Sequence, residues 1–187
     1  MSEAGRIEVV CGPMFAGKTE ELLRRVRRAV IAGRDVLVVN HVLDTRQEPG
    51  RLLSHAGVEH PSLGASSAAE IERLATGRSG TIAIDEAQFF GSELVAVAGR
   101  LAARGLIVLV AGLDVTYEGF PFEPLPSLMA LAERVDKLTA ICAVCGEEAV
   151  YHARLAPTAA GATDFVSEHI GSEELYQARC RRHFALA

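Results

Sequence analysis

Residues Gly12 to Thr19 read Gly-Pro-Met-Phe-Ala-Gly-Lys-Thr. That G-x-x-x-x-G-K-[ST] spacing requires a strand running into a tight turn and the turn opening a helix. The flanks meet the requirement. Arg6–Cys11 is a short apolar run, read as a largely buried strand. From Lys18 to about Ala32, Leu22, Val26, Ala29 and Val30 recur at helical spacing, with Gly33 as the stop. Asp35–Asn40 then supplies a second buried strand. Strand, helix and strand in that order form a βαβ unit with parallel pairing. Within the turn, the backbone of Gly12, Pro13, Met14, Phe15, Ala16 and Gly17 can curl around phosphate oxygens, and the helix N-terminus adds partial positive charge. Lys18 can reach the outer phosphates and the Thr19 hydroxyl can ligate Mg²⁺. A chance glycine-rich turn is the opposing reading; the strand–loop–helix context argues against it.

The pattern continues as α/β. The sequence predicts a short helix at Ala68–Ala75, a strand at Thr81–Ile84, a helix at Glu93–Ala103 and a strand at Leu106–Ala111. A helix over Leu125–Arg134 and a fifth strand over Lys137–Ile141 follow. Asp44 to Ser66, with Pro49, Gly50, Gly57, Pro61 and Gly64, reads as a long mobile loop. After Cys142 the chain changes to paired cysteines and short strand-like pieces, Ala149–Leu155 and Asp164–Glu168, around a turn at Pro157–Gly161. The expectation is a mostly parallel sheet flanked by helices, the P-loop NTPase-like arrangement, over residues 1–141, with a small zinc-ribbon-like domain over residues 142–187.

Composition narrows the function. At 187 residues the chain can bury roughly 70% of its unfolded surface without disulfide staples. A net charge of −5 and the absence of Trp argue against a general nucleic-acid binder but leave room for a local basic pocket. The N-terminus lacks the apolar core of a signal peptide, and the longest apolar run, about Leu106 to Leu113, falls far short of the ~20 residues that cross a bilayer. A cytoplasmic protein without membrane partners is the expectation, so the four cysteines read as thiols or metal ligands.

Two acidic clusters follow strands. Thr81–Ile84 ends in Asp85-Glu86, at the end of a parallel sheet where ligands sit. Asp85 is placed to hold Mg²⁺ and Glu86 to face a substrate hydroxyl; the alternative is a turn cap and a solvated glutamate. Asp44-Thr-Arg46 follows the second strand. Asp44 could support the magnesium site and Arg46 the charge on a transferring phosphoryl group, against a plain turn with a surface ion pair. Cys142-x-x-Cys145 and Cys180-x-x-His183 are two knuckles separated by 34 residues. Three thiolates and an imidazole suit one closed, structural Zn²⁺ site; reduced cysteines without metal are the alternative. Cys11 reads as a core thiol, and His41, His55, His60, His152 and His169 show no paired spacing. Arg24, Arg25, Arg27 and Arg28 make a basic helix face, read as solvated or subunit-contacting.

Taken together, the phosphate loop, Asp44-Thr-Arg46, Asp85-Glu-Ala-Gln-Phe-Phe90, Leu113-Asp-Val-Thr-Tyr117 and the two knuckles resemble, in order and over Gly5–Phe184, the type II (cytosolic, zinc-containing) thymidine kinases. The resemblance implies transfer of the ATP γ-phosphoryl group to the 5′-hydroxyl of thymidine, and of deoxyuridine. It implies Glu86 as general base on the 5′-hydroxyl, Asp85 as the magnesium carboxylate, and Lys18 and Thr19 on the triphosphate. Met14, Phe15, Gln88, Phe89, Leu113, Thr116, Phe122, Val166, Ile170 and Tyr176 map to nucleoside positions. Tyr117–Phe122 and Asp164–Tyr176 look like the lasso and lid around the base. Feedback inhibition by dTTP and a homotetramer are further implications. The chain departs from the family pattern at Gly171-Ser172, where Gly-Gly is frequent, and at His183, where vertebrate relatives carry Cys.

Two other readings compete. One is a P-loop NTPase switch whose zinc module binds a partner, which would hydrolyse ATP without nucleoside. The other is a kinase for a different deoxynucleoside, which the sequence separates poorly from a thymidine kinase.

Overall fold

A computed structural model describes residues 4–44, 50–53, 57, 59–155 and 175–184. The central sheet has six strands: β1 (Arg6–Cys11), β2 (Val36–His41), β5 (Leu63–Ala65), β6 (Thr81–Ile84), β7 (Ile107–Gly112) and β8 (Arg134–Lys137). Their order is β5-β2-β6-β7-β1-β8, and every pairing is parallel. Side chains alternate between the two faces. Ile7, Val9, Cys11, Val108, Val110, Ile82 and Ile84 enter one core, with α2 (Ala68–Leu74), α3 (Glu93–Ala103) and α4 (Leu125–Leu131) packed over it. Val10, Leu109, Ala111, Ala83 and Val38 enter the other, under α1 (Lys18–Ile31) through Leu22, Leu23 and Val26. Each of those α1 side chains is fully buried, a gain of about 1.5–3 kcal/mol apiece before entropy.

Two expectations need correction. The last helix ends at Leu131, not Arg134, and the fifth predicted strand lies at Arg134–Lys137, three residues earlier than read. It is the sheet edge, so Arg134, Val135 and Lys137 are exposed and the segment lacks an apolar signature. The stretch from Asp44 to Ser66 is not simply a loop. Its described residues contain an antiparallel pair, β3 (Arg51–Leu53) with β4 (Glu59–Pro61), and the edge strand β5 beside β2. Leu52 and Ala65, both fully buried, anchor these short elements, too short to show periodicity.

Beyond the sheet, β9 (Ala140–Ile141) pairs with β10 (Glu148–Ala149), and β11 (Tyr151–Arg154) with β12 (Tyr176–Arg179), all antiparallel. The predicted Asp164–Glu168 strand lies outside the described residues. No helix among the described residues is long and apolar enough to cross a membrane.

One buried cation ties α1 to the sheet. Arg25, 7% exposed at its side chain, bonds Glu8 at 3.0 Å, Glu21 at 2.8 Å and Asp136 on β8. The hydrogen bond from Arg24 draws Glu21 down to about 2 against the opposing effect of burial, and Arg25 adds to it. A carboxylate depressed in the fold stabilises it above its unfolded value near 4.5, and that contribution is lost as pH falls toward 2. Arg25→Ala is expected to cost about 3 kcal/mol in urea unfolding at neutral pH, because Glu8 stays buried without this partner. It should also flatten the acid limb of the stability profile. A loss no larger than that of an exposed Arg27→Ala would show that the cluster is effectively solvated.

Candidate active site

The phosphate loop sits at the C-terminal end of β1, where the backbone conformation is dictated closely. A Cβ on Gly12 would lie 2.4 Å from the Leu138 carbonyl oxygen, so only glycine fits. Phe15 takes φ 68°, and Gly17 caps α1 in the left-handed region. Lys18 Nζ donates to the Pro13 carbonyl at 2.7 Å, folding back over the loop. The Thr19 hydroxyl donates to Asp85 Oδ2 at 2.8 Å. Alternation explains that meeting: Asp85 shares parity with Ala83, whose side chain faces α1.

Asp85 and Glu86 are both buried, so the reading of a solvated glutamate fails. Asp85 Oδ1 does accept the Glu86 amide at 3.0 Å, which makes it a turn cap as well. Glu86 adopts φ 51°, a left-handed conformation that costs a non-glycine residue about 1–3 kcal/mol. Its Oε2 accepts a short hydrogen bond from Gln88 Nε2, and Gln88 Oε1 accepts the Leu113 amide at 3.0 Å. Gln88 is thereby clamped between the carboxylate and the exit of β7. A Cβ on Gly112 would lie 2.7 Å from the same Gln88 oxygen, so the clamp also needs glycine there.

The loop after β7 doubles back on itself. Thr116 N donates to Phe120 O at 2.8 Å, Phe120 N to Thr116 Oγ1 at 3.2 Å, and Phe122 N to Asp114 O at 3.0 Å. Buried Asp114 pairs with Lys137 at 2.7 Å, and burial first and Asp114 second push the Cys11 thiol up to about 12, consistent with a core thiol. Tyr117 and Tyr176 approach with ring centroids 6.4 Å apart, and the Arg154 guanidinium lies 5.7 Å from the Tyr117 ring centre. Phe89 and Phe90 pack on His41, whose neighbour Asp44 is buried at the end of β2. Met14 is half-buried and Phe15 more exposed. Arg46, Val166 and Ile170 lie outside the described residues, as does the lasso candidate before Leu175.

Sequence reasoning passed over His152. It lies on β11 with its ring 5.9 Å from that of Tyr176. It is buried, and its Nδ1 has no hydrogen-bond partner among the described residues. Burial, with the Lys18 charge in support, pushes its pKa down to about 3. No local pattern marks such a residue, because its environment comes from distant segments.

Cys142, Cys145, Cys180 and His183 converge, with one donor atom of each within 4.8 Å of the others. Cys145 Sγ and Cys180 Sγ are 3.8 Å apart, and Cys142 Sγ lies 3.7 Å from His183 Nδ1. A tetrahedron with metal–sulfur bonds of ~2.3 Å has edges of ~3.8 Å, so the set fits zinc. The sulfur separation excludes a disulfide, which needs about 2.05 Å. Burial raises the Cys142 thiol, but backbone hydrogen bonds from Cys180, Val144 and Cys145, with His183, outweigh it and draw the value to about 5, favouring thiolate. Ala16 of the phosphate loop packs against the small-residue core of this segment, Ala140, Ala149 and Ala178.

A parallel sheet with a phosphate loop at one strand end and a carboxylate facing it at another defines a P-loop nucleotide-binding protein. The comparisons with known proteins narrow that class. A family model described as thymidine kinase matches residues 5–184. Curated thymidine kinases from two strains of Halobacterium salinarum are 48% identical over 97% of this chain and 94% of their own length. One from Bdellovibrio bacteriovorus is 44% identical over 96% of this chain and 85% of its own. The chain belongs to the thymidine kinase family.

Freshly purified protein is expected to carry one zinc per chain. Chelation should abolish amide protection in β9 to β12 while β1, β6 and β7 keep theirs. Metal analysis well below one zinc, or simultaneous loss of protection everywhere, would contradict this. Separately, the His152 ring should remain neutral at pH 5.5 in ¹⁵N NMR spectra of the zinc-loaded protein; a protonated ring would contradict its placement.

Proposed function

We propose that the chain is an ATP-dependent thymidine kinase, transferring the γ-phosphoryl group of ATP to the 5′-hydroxyl of thymidine, and of deoxyuridine, to give the monophosphate and ADP. The observation that carries this is the Thr19–Asp85 hydrogen bond beside a buried, clamped Glu86, in a chain that matches the family along nearly its whole length. We read residues 1–141 as the nucleotide-binding domain and 142–187 as the zinc and lasso domain.

Phosphoryl transfer needs alignment and charge stabilisation more than covalent work by the protein. The loop amides and Lys18 bind the phosphates. Thr19 and Asp85, with Asp44, would hold Mg²⁺, which when bound neutralises phosphate charge. Glu86 takes the proton of the 5′-hydroxyl. The hydroxyl oxygen bonds to the γ-phosphorus as the bond to the β–γ bridging oxygen breaks, and ADP leaves with that electron pair. Gln88, held by Leu113 N, orients the Glu86 carboxylate. Arg46 stabilises the transferring group. Met14, Phe15, Phe89, Leu113, Thr116, Phe122, Val166, Ile170 and Tyr176 surround the nucleoside. By family likeness, dTTP is the feedback inhibitor, the assembly a homotetramer and the site of action the cytoplasm.

The test is ADP release from Mg·ATP across a panel of nucleosides. Thymidine and deoxyuridine should give strong turnover, deoxycytidine and purine nucleosides little. Glu86→Gln should lower kcat by about 10²–10⁴ with an unchanged Tm. ADP release that ignores nucleoside would favour an NTPase switch, and near-native turnover in Glu86→Gln would place the base elsewhere.

A further inference from the structure

Between the exits of β7 and β8 an ion pair crosses the root of the phosphate loop. Strand β1 lies between those two strands in the sheet. Its last residue, Cys11, stands opposite Gly112 at the end of β7 and opposite Lys137 at the end of β8. Asp114, just past β7, spans the end of β1 and meets Lys137 Nζ at 2.7 Å. The Cys11 thiol feels the charge of both residues, and of Lys18.

Nothing else among the described residues compensates this carboxylate. Lys137 is its one ion-pair partner there, and Asp114 Oδ1 has no hydrogen-bond partner among them. The Asp114 side chain is 3% exposed, against 44% for Lys137. Burial would lower the Lys137 pKa, but the hydrogen bond and charge of Asp114 outweigh it and the value is raised. Asp114 is also a junction. The residue before it, Leu113, donates its amide to Gln88 Oε1, in the clamp on Glu86. Its own carbonyl accepts the Phe122 amide and closes the loop that carries Thr116 and Tyr117. On the far side, Leu138 follows Lys137 and donates to the Cys11 carbonyl at 2.8 Å. The Leu138 carbonyl oxygen occupies the space that a side chain on Gly12 would need. One ion pair thus connects the carboxylate clamp to the first glycine of the phosphate loop.

We propose that Asp114 and Lys137 are positioning residues for the transfer: their ion pair fixes the Glu86 clamp and the 113–122 loop relative to the phosphate loop. The inference rests on the reaction proposed above and adds to it two residues that act through others. The acceptor hydroxyl belongs to one end of the pair and the γ-phosphorus to the other. The effect therefore falls on their alignment and not on the grip of either substrate. A misplacement of about 1 Å between reacting groups can cost about 10²-fold in rate. A buried pair suits this duty, because separating it strands a charge away from both partner and water. The two loops cannot drift apart without that cost.

The experiment is steady-state kinetics of the zinc-loaded full chain with Mg·ATP and thymidine, alongside ¹⁵N–¹H NMR during titration with Mg·ATP alone. Lys137→Met should lower kcat by about tenfold to hundredfold, with both KM values within about twofold of native. Lys137→Arg, which keeps the charge, should restore most of that kcat. Asp114→Asn/Lys137→Met removes both charges together and decides the matter if the single variant does not fold. It too should show low kcat at native KM. In the spectra, Mg·ATP should shift the Leu113 and Phe122 amides of the native protein and leave them in place in the double variant. Native kcat in either methionine variant, or equal loss in Lys137→Arg, would overturn the proposal. So would amide shifts that are absent from the native protein or unchanged without the pair. A native enzyme without thymidine-dependent turnover would count against the reaction, and the ATP-induced shifts would still decide for or against the pair.

Discussion

The hydrogen bond from Thr19 to Asp85 joins the first turn of α1 to the end of β6, although β7 lies between β6 and β1 in the sheet. Such a contact is possible only if strand register and side-chain parity are both fixed. Register comes from continuous parallel ladders, with Arg6 opposite Ile107 and Thr81 opposite Ile107. Parity comes from burial on both faces. Slipping any of these strands by one residue would turn its whole apolar set to the wrong core. The same parity that aims Asp85 at Thr19 aims Glu8 at Arg25, so one alternation rule positions a carboxylate under each half of α1. The precision of the site is therefore inherited from the hydrophobic pattern of the sheet.

The metal segment depends on that frame and adds to it. The chain leaves β11 at Leu155 and re-enters before β12 at Leu175, and Leu155 N donates to Leu175 O at 2.8 Å. The β11–β12 pair thus closes the base of the intervening segment. The knuckle following β12 is tied to the knuckle following β9 through the four-ligand cluster. The cluster's small-residue core touches Ala16 in the phosphate loop. The four possible metal ligands at the chain end and the phosphate loop after β1 are mechanically adjacent for that reason.

Legibility in the sequence followed locality. The phosphate loop, α1, α3 and the β6 carboxylates are contiguous patterns, and each was readable from its own residues. The C-x₂-C and C-x₂-H spacings likewise carried enough chemistry to forecast their convergence. What escaped reading depends on distant partners. β8 is an edge strand whose charges look like loop until Asp136 is seen to meet Arg25. β5 is three residues long and makes sense only beside β2. The clamp on Gln88 needs Leu113 from another strand, and His152 owes its depressed pKa to burial and to Lys18, neither encoded in its neighbours.

Backbone strain is distributed in a way that fits this division. Among the described residues, Phe15 and Glu86 are the non-glycine positions with positive φ. Both stand at strand ends in the candidate site, and neither conformation is favoured by local sequence. They persist because the flanking elements are over-determined. Val9, Val10 and Cys11 before one, and Ile82, Ala83 and Ile84 before the other, are fully buried in ladders paired on both sides. A few kcal/mol of strain is small beside the apolar area those strands remove from water. The strain at Glu86 accompanies a side chain that is buried, while Phe15 stays exposed. At Glu86 the result is a buried carboxylate held by Gln88 at the strand end.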